Sequence, residues 1–101
     1  MTIEELRRRI DRLDEQLVEL LNERANCALE IGKLKHTLGV EVYQPDREAQ
    51  VLHHVQTHGK QTGGPLGGAA IVRVFERIID EARRIERATA HSSASAGQVE
   101  D

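Results

Sequence analysis

Apolar side chains in the first third of the chain fall at Ile3, Leu6, Ile10, Leu13, Leu17, Leu20, Cys27, Ile31, Leu34 and Leu38, in alternating steps of three and four once position 24 is included. This is the heptad stripe of a helix that meets another helix along one seam. Thr2 followed by Glu5 makes a capping-box pattern, and Gly39 directly after Leu38 supplies a C-terminal stop. The pattern predicts one uninterrupted helix from about residue 3 to 38, about 54 Å long at 1.5 Å per residue. A compact globule of this size has a radius of gyration of about 13 Å, so such a helix projects beyond it. An apolar stripe on a projecting helix calls for a second chain.

A second helix is signalled at Gln44-Pro45-Asp46-Arg47-Glu48, because Pro suits the first helical turn and acids favour the positive end of the helix dipole. Val51, Leu52 and Val55 give it an apolar face, and it is expected to fray near His58 and Gly59. Residues 59–68 contain five Gly and one Pro and read as a flexible connection. Their Gly spacing matches neither nucleotide-binding loop pattern. A third helix follows, with Ile71, Val74, Phe75, Ile78, Ile79 and Ala82 on one face and Arg and Glu opposite. The expected fold class is therefore all-α: one very long N-terminal helix and two shorter ones, paired in an intertwined homodimer. The helical domain is expected over 1–90, and 91–101 is too poor in apolar residues to pack, so it is expected to be a disordered tail.

Composition narrows the function. The chain has 101 residues and 39% hydrophobic content, which allows one domain with a lean core. Tyr43 and Phe75 are its only aromatic residues, which disfavours a stacking platform for single-stranded nucleic acid. Acids and bases are interleaved at a net charge of −3, so no polyanion-binding surface is visible and nucleic acid is not an expected partner. Cys27 stands alone, and the five His at 36, 53, 54, 58 and 91 lack ligand spacing, so no metal and no cofactor are expected. With neither a signal-peptide-like start nor an apolar run long enough to span a bilayer, the expectation is a cytoplasmic protein that does not associate with membranes.

Candidate chemistry lies where polar residues occupy positions that the core pattern reserves for apolar ones. Arg24 fills a heptad core position, and burying an unpaired guanidinium costs several kcal/mol, so it needs an anion. Lys35, eleven residues on, lies about 20° round the helix and about 16 Å along it, so a small dianion fits between the two cations. Glu48 shares the inward face of Val51, Leu52 and Val55, beside Arg47 at the helix start. Glu86 continues the stripe of Phe75, Ile79 and Ala82. One such residue alone is commonly half of an internal ion pair or a side chain snorkelling to solvent; four on three helices suggest a shared polar site. Arg7, Arg8 and Arg9 form a run near the helix start, about 25 Å along the axis from Arg24, and spacing does not choose among them. In an antiparallel helix pair, Arg7 of one chain approaches the site of the other.

In this order and spacing the residues resemble the all-helical class of chorismate mutases, in particular the short domain found alone or fused to prephenate dehydratase. The motifs are Leu6-Arg7 with Ile10-Asp11, Leu13-Asp14 and Leu17, then Glu23-Arg24, Ile31-Gly32-Lys33 with Lys35, Asp46-Arg47-Glu48, and Val74-Phe75 with Ile78-Ile79 and Glu86. The resemblance implies Claisen rearrangement of chorismate to prephenate in Phe and Tyr biosynthesis, in a dimer whose two sites are each closed by Arg7 of the other chain. It implies that Arg7 and Arg24 bind the two substrate carboxylates, Lys35 donates to the ether oxygen, Arg47 orients the substrate and Glu48 receives its hydroxyl. The chain departs from the family at three positions: Gln44 replaces an Asp common before the helix Pro, Glu86 replaces a Gln donor to the ether oxygen, and Ala82 replaces a Ser. Glu86 can donate there only when protonated. Two other functions compete: an isochorismate-pyruvate lyase, which shares the helical dimer, and a non-catalytic helical dimerisation or regulatory module, which leaves Arg24, Lys35, Glu48 and Glu86 unexplained together.

Overall fold

The computed structural model describes residues 1–41 and 44–100, with side chains as far as residue 89. It contains three helices: α1 (Ile3–Leu38), α2 (Pro45–Thr62) and α3 (Gly68–Glu100). His91 and the 91–101 tail, for which disorder was expected, lie outside the residues whose side chains are described.

Both ends of α1 form as its sequence dictates. The Thr2 hydroxyl accepts from the Glu5 N–H at 3.1 Å, while the Glu5 carboxylate accepts from the Thr2 N–H at 3.3 Å. Two otherwise unpaired donors of the first turn are thereby satisfied. At the other end Gly39 adopts the left-handed conformation (φ 72°, ψ 24°), so its N–H reaches the His36 carbonyl and the Val40 N–H the Lys35 carbonyl. Lys35 and His36 in the last turn complement the negative end of the dipole.

The second connection is shorter than the composition of 59–68 suggests. α2 continues through Gly59 to Thr62, and only residues 63–67 link it to α3. Gly59 lies where the two helices approach: a Cβ there would sit 3.3 Å from Cγ1 of Ile71. This glycine therefore makes room for α3 instead of breaking α2, and the packing outweighs its poor helix propensity of about 1 kcal/mol. The stop comes at Gly63 (φ 60°), whose N–H bonds the Gly59 carbonyl, with the Thr62 hydroxyl donating to the same oxygen at 3.1 Å.

α1 and α2 each pack on α3 and not on each other. Among the described residues Ile79, in the N-terminal half of α3, is the one buried side chain, 7% exposed. Ile71, Phe75, Ile78 and Ala82 are half-buried around it, as are Val51, Leu52 and Val55 of α2. Val74, expected on this face, is 52% exposed, because it lies about 140° round the helix from Ile79. The chain extends 62 × 30 × 16 Å with a radius of gyration of 17.7 Å, well above the compact value. Every residue from Met1 to Glu23 is exposed, including Ile3, Leu6, Ile10, Leu13, Leu17 and Leu20. No helix of the described residues is long and apolar enough to cross a membrane.

The close approach at Gly59 is testable. Gly59→Leu should destabilise the protein by about 1–3 kcal/mol by forcing α2 off Ile71, whereas Gly64→Ser, where a Cβ meets nothing within 4 Å, should leave the thermal midpoint within a degree or two. Equal midpoints for the two variants would show that α2 does not pack through Gly59.

Candidate active site

Because both α1 and α2 lean on α3, a cleft opens between them with α3 as its floor. Its volume is about 270 Å³. α1 contributes Arg24, Cys27, Ala28, Ile31 and Lys35; the start of α2 contributes Gln44, Arg47, Glu48 and Val51; α3 contributes Ile79, Ala82, Arg83 and Glu86. Ala28 and Ala82 are small side chains on the wall and floor, leaving the space to the longer polar groups.

Six of the seven residues singled out from the sequence thus meet in one place. Arg24, Lys35, Glu48 and Glu86 are half-buried, whereas Gln44 and Arg47 are exposed yet still line the opening. Arg7 is exposed and lines no part of the cleft within one chain. Gln44 caps α2 through its backbone alone: its carbonyl accepts from the Glu48 N–H at 3.2 Å, and its side chain makes no capping bond.

Sequence reasoning missed Arg83. It stands four residues after Ile79 and three before Glu86, so helical spacing put it on the inward stripe. Its charge, in a run with Arg84 and Arg87, read as part of the solvated face instead. One guanidinium nitrogen, Nη2, lies 3.0 Å from a carboxylate oxygen of Glu48 and 3.0 Å from one of Asp80.

The cleft holds four cationic side chains (Arg24, Lys35, Arg47 and Arg83) and two carboxyl groups (Glu48 and Glu86). It is therefore net positive in a chain whose overall charge is −3, as a site for a small dianion requires. Glu86 lies against the α1 backbone at Gly32, where a Cβ would meet its Cγ at 3.5 Å. Burial raises its pKa above the ordinary glutamate value; Lys35 and Arg24 pull it down and Glu48 pushes it up, with burial prevailing. The site thus contains four cations, of which Arg83 is held by ion pairs, and one carboxyl group that burial makes harder to ionise.

A carboxyl group with a raised folded-state pKa reverses the usual linkage: the folded chain holds the proton more tightly than the unfolded one, so stability is lost as pH rises through that raised pKa. Glu86→Gln should therefore raise the thermal midpoint at pH 7, and the gain should disappear below the ordinary carboxylate range of about pH 4. A variant less stable than wild type at pH 7 would contradict the direction of the shift.

Comparison with known proteins agrees with this geometry. The chorismate mutase type II family matches residues 6–87. The bifunctional chorismate mutase/prephenate dehydratase of Pseudomonas aeruginosa is 41% identical over 87 residues, covering 81% of this chain and 23% of that protein. Its counterpart from Aquifex aeolicus is 34% identical over 86 residues, covering 84% of this chain and 24% of that protein. The chain thus spans about a quarter of the length of these curated relatives. The solved form II structure of the Thermus thermophilus chorismate mutase superposes with a TM-score of 0.79 at 30% identity, covering 84% of this chain and 93% of that one. The three helices, the cationic cleft they enclose and these likenesses together show that the chain belongs to the chorismate mutase type II family.

Proposed function

We propose that the protein is a homodimeric chorismate mutase, rearranging chorismate to prephenate in the biosynthesis of Phe and Tyr. The observation that carries this reading is the meeting of Arg24, Lys35, Glu48 and Glu86, drawn from three helices, around one small cleft. Chorismate is a dicarboxylate with a hydroxyl group and an enolpyruvyl ether, and each of these features has a matching group here. Arg24 takes one carboxylate and Lys35 donates to the ether oxygen. Arg47, at the rim with Gln44, orients the ring, while Glu48 accepts from the hydroxyl.

The reaction is intramolecular and concerted. The carbon–oxygen ether bond breaks as a carbon–carbon bond forms, and no atom enters or leaves. Catalysis then requires two things of the protein: holding the flexible arm in its reactive conformation, and stabilising the negative charge that grows on the ether oxygen. Charged side chains fixed in advance do both at little cost in reorganisation, and one donor aimed at a developing oxyanion is typically worth about 10²–10³ in rate. Protonated Glu86 supplies the second donor to that oxygen, opposite Lys35.

The dimer follows from α1. The six stripe residues Ile3, Leu6, Ile10, Leu13, Leu17 and Leu20 lie open to solvent, each worth about 1.5–3 kcal/mol on full burial. Pairing with α1 of a second chain in antiparallel orientation covers them. It also carries the partner's Arg7 across the roughly 25 Å that separates it from Arg24 on its own helix, so that Arg7 takes the second carboxylate.

Incubation with chorismate should yield prephenate without release of pyruvate; pyruvate as the product would make the protein a lyase instead. Turnover should decline as pH rises through the pKa of Glu86 in the complex, and Glu86→Gln should flatten that decline. An identical pH–rate curve for the variant would remove Glu86 from the ether oxygen. Arg7→Ala and Arg24→Ala should each lower kcat/KM by about 10²-fold or more. Co-expressed in equal amounts, the two variants should recover roughly a quarter of wild-type activity, because half the dimers are mixed and each mixed dimer has one intact site of two. No recovery on mixing would show that Arg7 acts within its own chain.

A further inference from the structure

Arg83 is absent from the roles that the family resemblance assigns, yet it sits inside the cleft. Its Nη2 is 3.0 Å from Oε1 of Glu48 on α2 and 3.0 Å from Oδ1 of Asp80, one turn back on its own helix. The side chains of Arg83 and Glu48 are 29% and 24% exposed, against 68% and 44% for the surface pair Arg77–Glu81. Shielding of this degree lifts the contact out of the class of exposed ion pairs that contribute little. The two ends of the bridge also differ: Asp80 and Arg83 belong to one rigid helix, so the guanidinium is anchored there and reaches across to a residue that α2 delivers separately.

We propose that Arg83 is a positioning residue, anchored by Asp80, that holds the Glu48 carboxylate towards the substrate hydroxyl and away from the cationic groups the substrate needs. This inference rests on the mutase reading above. Glu48 shares a small cleft with Arg24, Lys35 and Arg47. Without a counter-charge of its own, its carboxylate is drawn onto one of those three, quenching a substrate-binding cation and losing its hydroxyl contact together. With Arg83 in place, Glu48 has a partner on the side of α3, and Arg24 and Arg47 keep their charge for the dicarboxylate. Glu48 and Glu86 also repel each other across the same space, as the upward effect of Glu48 on Glu86 shows, and a guanidinium fixed on Glu48 limits that repulsion.

The test is a double-mutant cycle in the full chain, with chorismate as substrate. Arg83→Met, which keeps the aliphatic stem, should lower kcat/KM by about tenfold, and Arg83→Lys, which keeps a charged donor, should recover most of the loss. In a Glu48→Gln background Arg83→Met should cost less than about twofold more, because the group it positions is already altered. Arg84→Met should match wild type, since Arg84 is 70% exposed and its ion pair with Glu81 is long, at 3.9 Å. Independent, multiplying losses for Arg83→Met and Glu48→Gln would overturn the inference and make Arg83 a direct substrate ligand or a general stabiliser. So would full activity of Arg83→Met, or a Lys variant no better than Met. A wild-type chain that leaves chorismate unchanged sinks the mutase reading and this inference with it, whereas an active wild type with independent losses sinks this inference alone.

Discussion

A chain of 101 residues that commits 36 of them to one helix cannot bury that helix against itself, and the rest of the architecture follows from this constraint. Among the described residues, α1 meets the remainder of the chain only along its C-terminal part, and residues 3–23 stand clear with an apolar stripe exposed. What remains for a core is the contact of α3 with its two neighbours around Ile79. In the proposed dimer, stability and site assembly draw on neighbouring surfaces of α1, because Arg7 stands next to Leu6 of the exposed stripe.

The position of α3 decides where chemistry can occur. Had α1 and α2 packed on each other, apolar contact would have filled the space between them. Since each packs on α3 instead, the gap is left as a cleft, and the residues facing it are those that the core pattern would otherwise have made apolar. Small side chains at Ala28, Gly32 and Ala82 keep the helices close without filling the opening. The charges then sort themselves by partner: Glu48 is held by Arg83, Glu86 lies over the α1 backbone in surroundings that favour its protonated form, and the remaining cations line the volume.

Legibility differed residue by residue for physical reasons. Arg24 was readable because it breaks a heptad that is otherwise regular, and an inward guanidinium cannot be neutral. Glu86 was readable because it extends an apolar stripe at helical spacing. Arg83 fell on the same stripe but was hidden among Arg84 and Arg87, and choosing the arginine that turns inward requires the position of Glu48 on another helix. Gly59 misled for a related reason: in sequence a glycine marks a break or a close approach alike, and only the proximity of Ile71 tells which.

The sequence by itself determined what is local: the start and stop of α1 through Thr2, Glu5 and Gly39, the helical periods, the all-α class and the charges that interrupt an apolar stripe, such as Arg24 and Glu86. These depend on interactions within a few residues, so they can be read along the chain. Tertiary structure alone decided the continuation of α2 through Gly59, the packing of both other helices on α3, the cleft that results and the bridge from Asp80 through Arg83 to Glu48. Each of these joins residues that are far apart in sequence, and their distances are set by how side chains fill the space between helices, which no periodicity encodes.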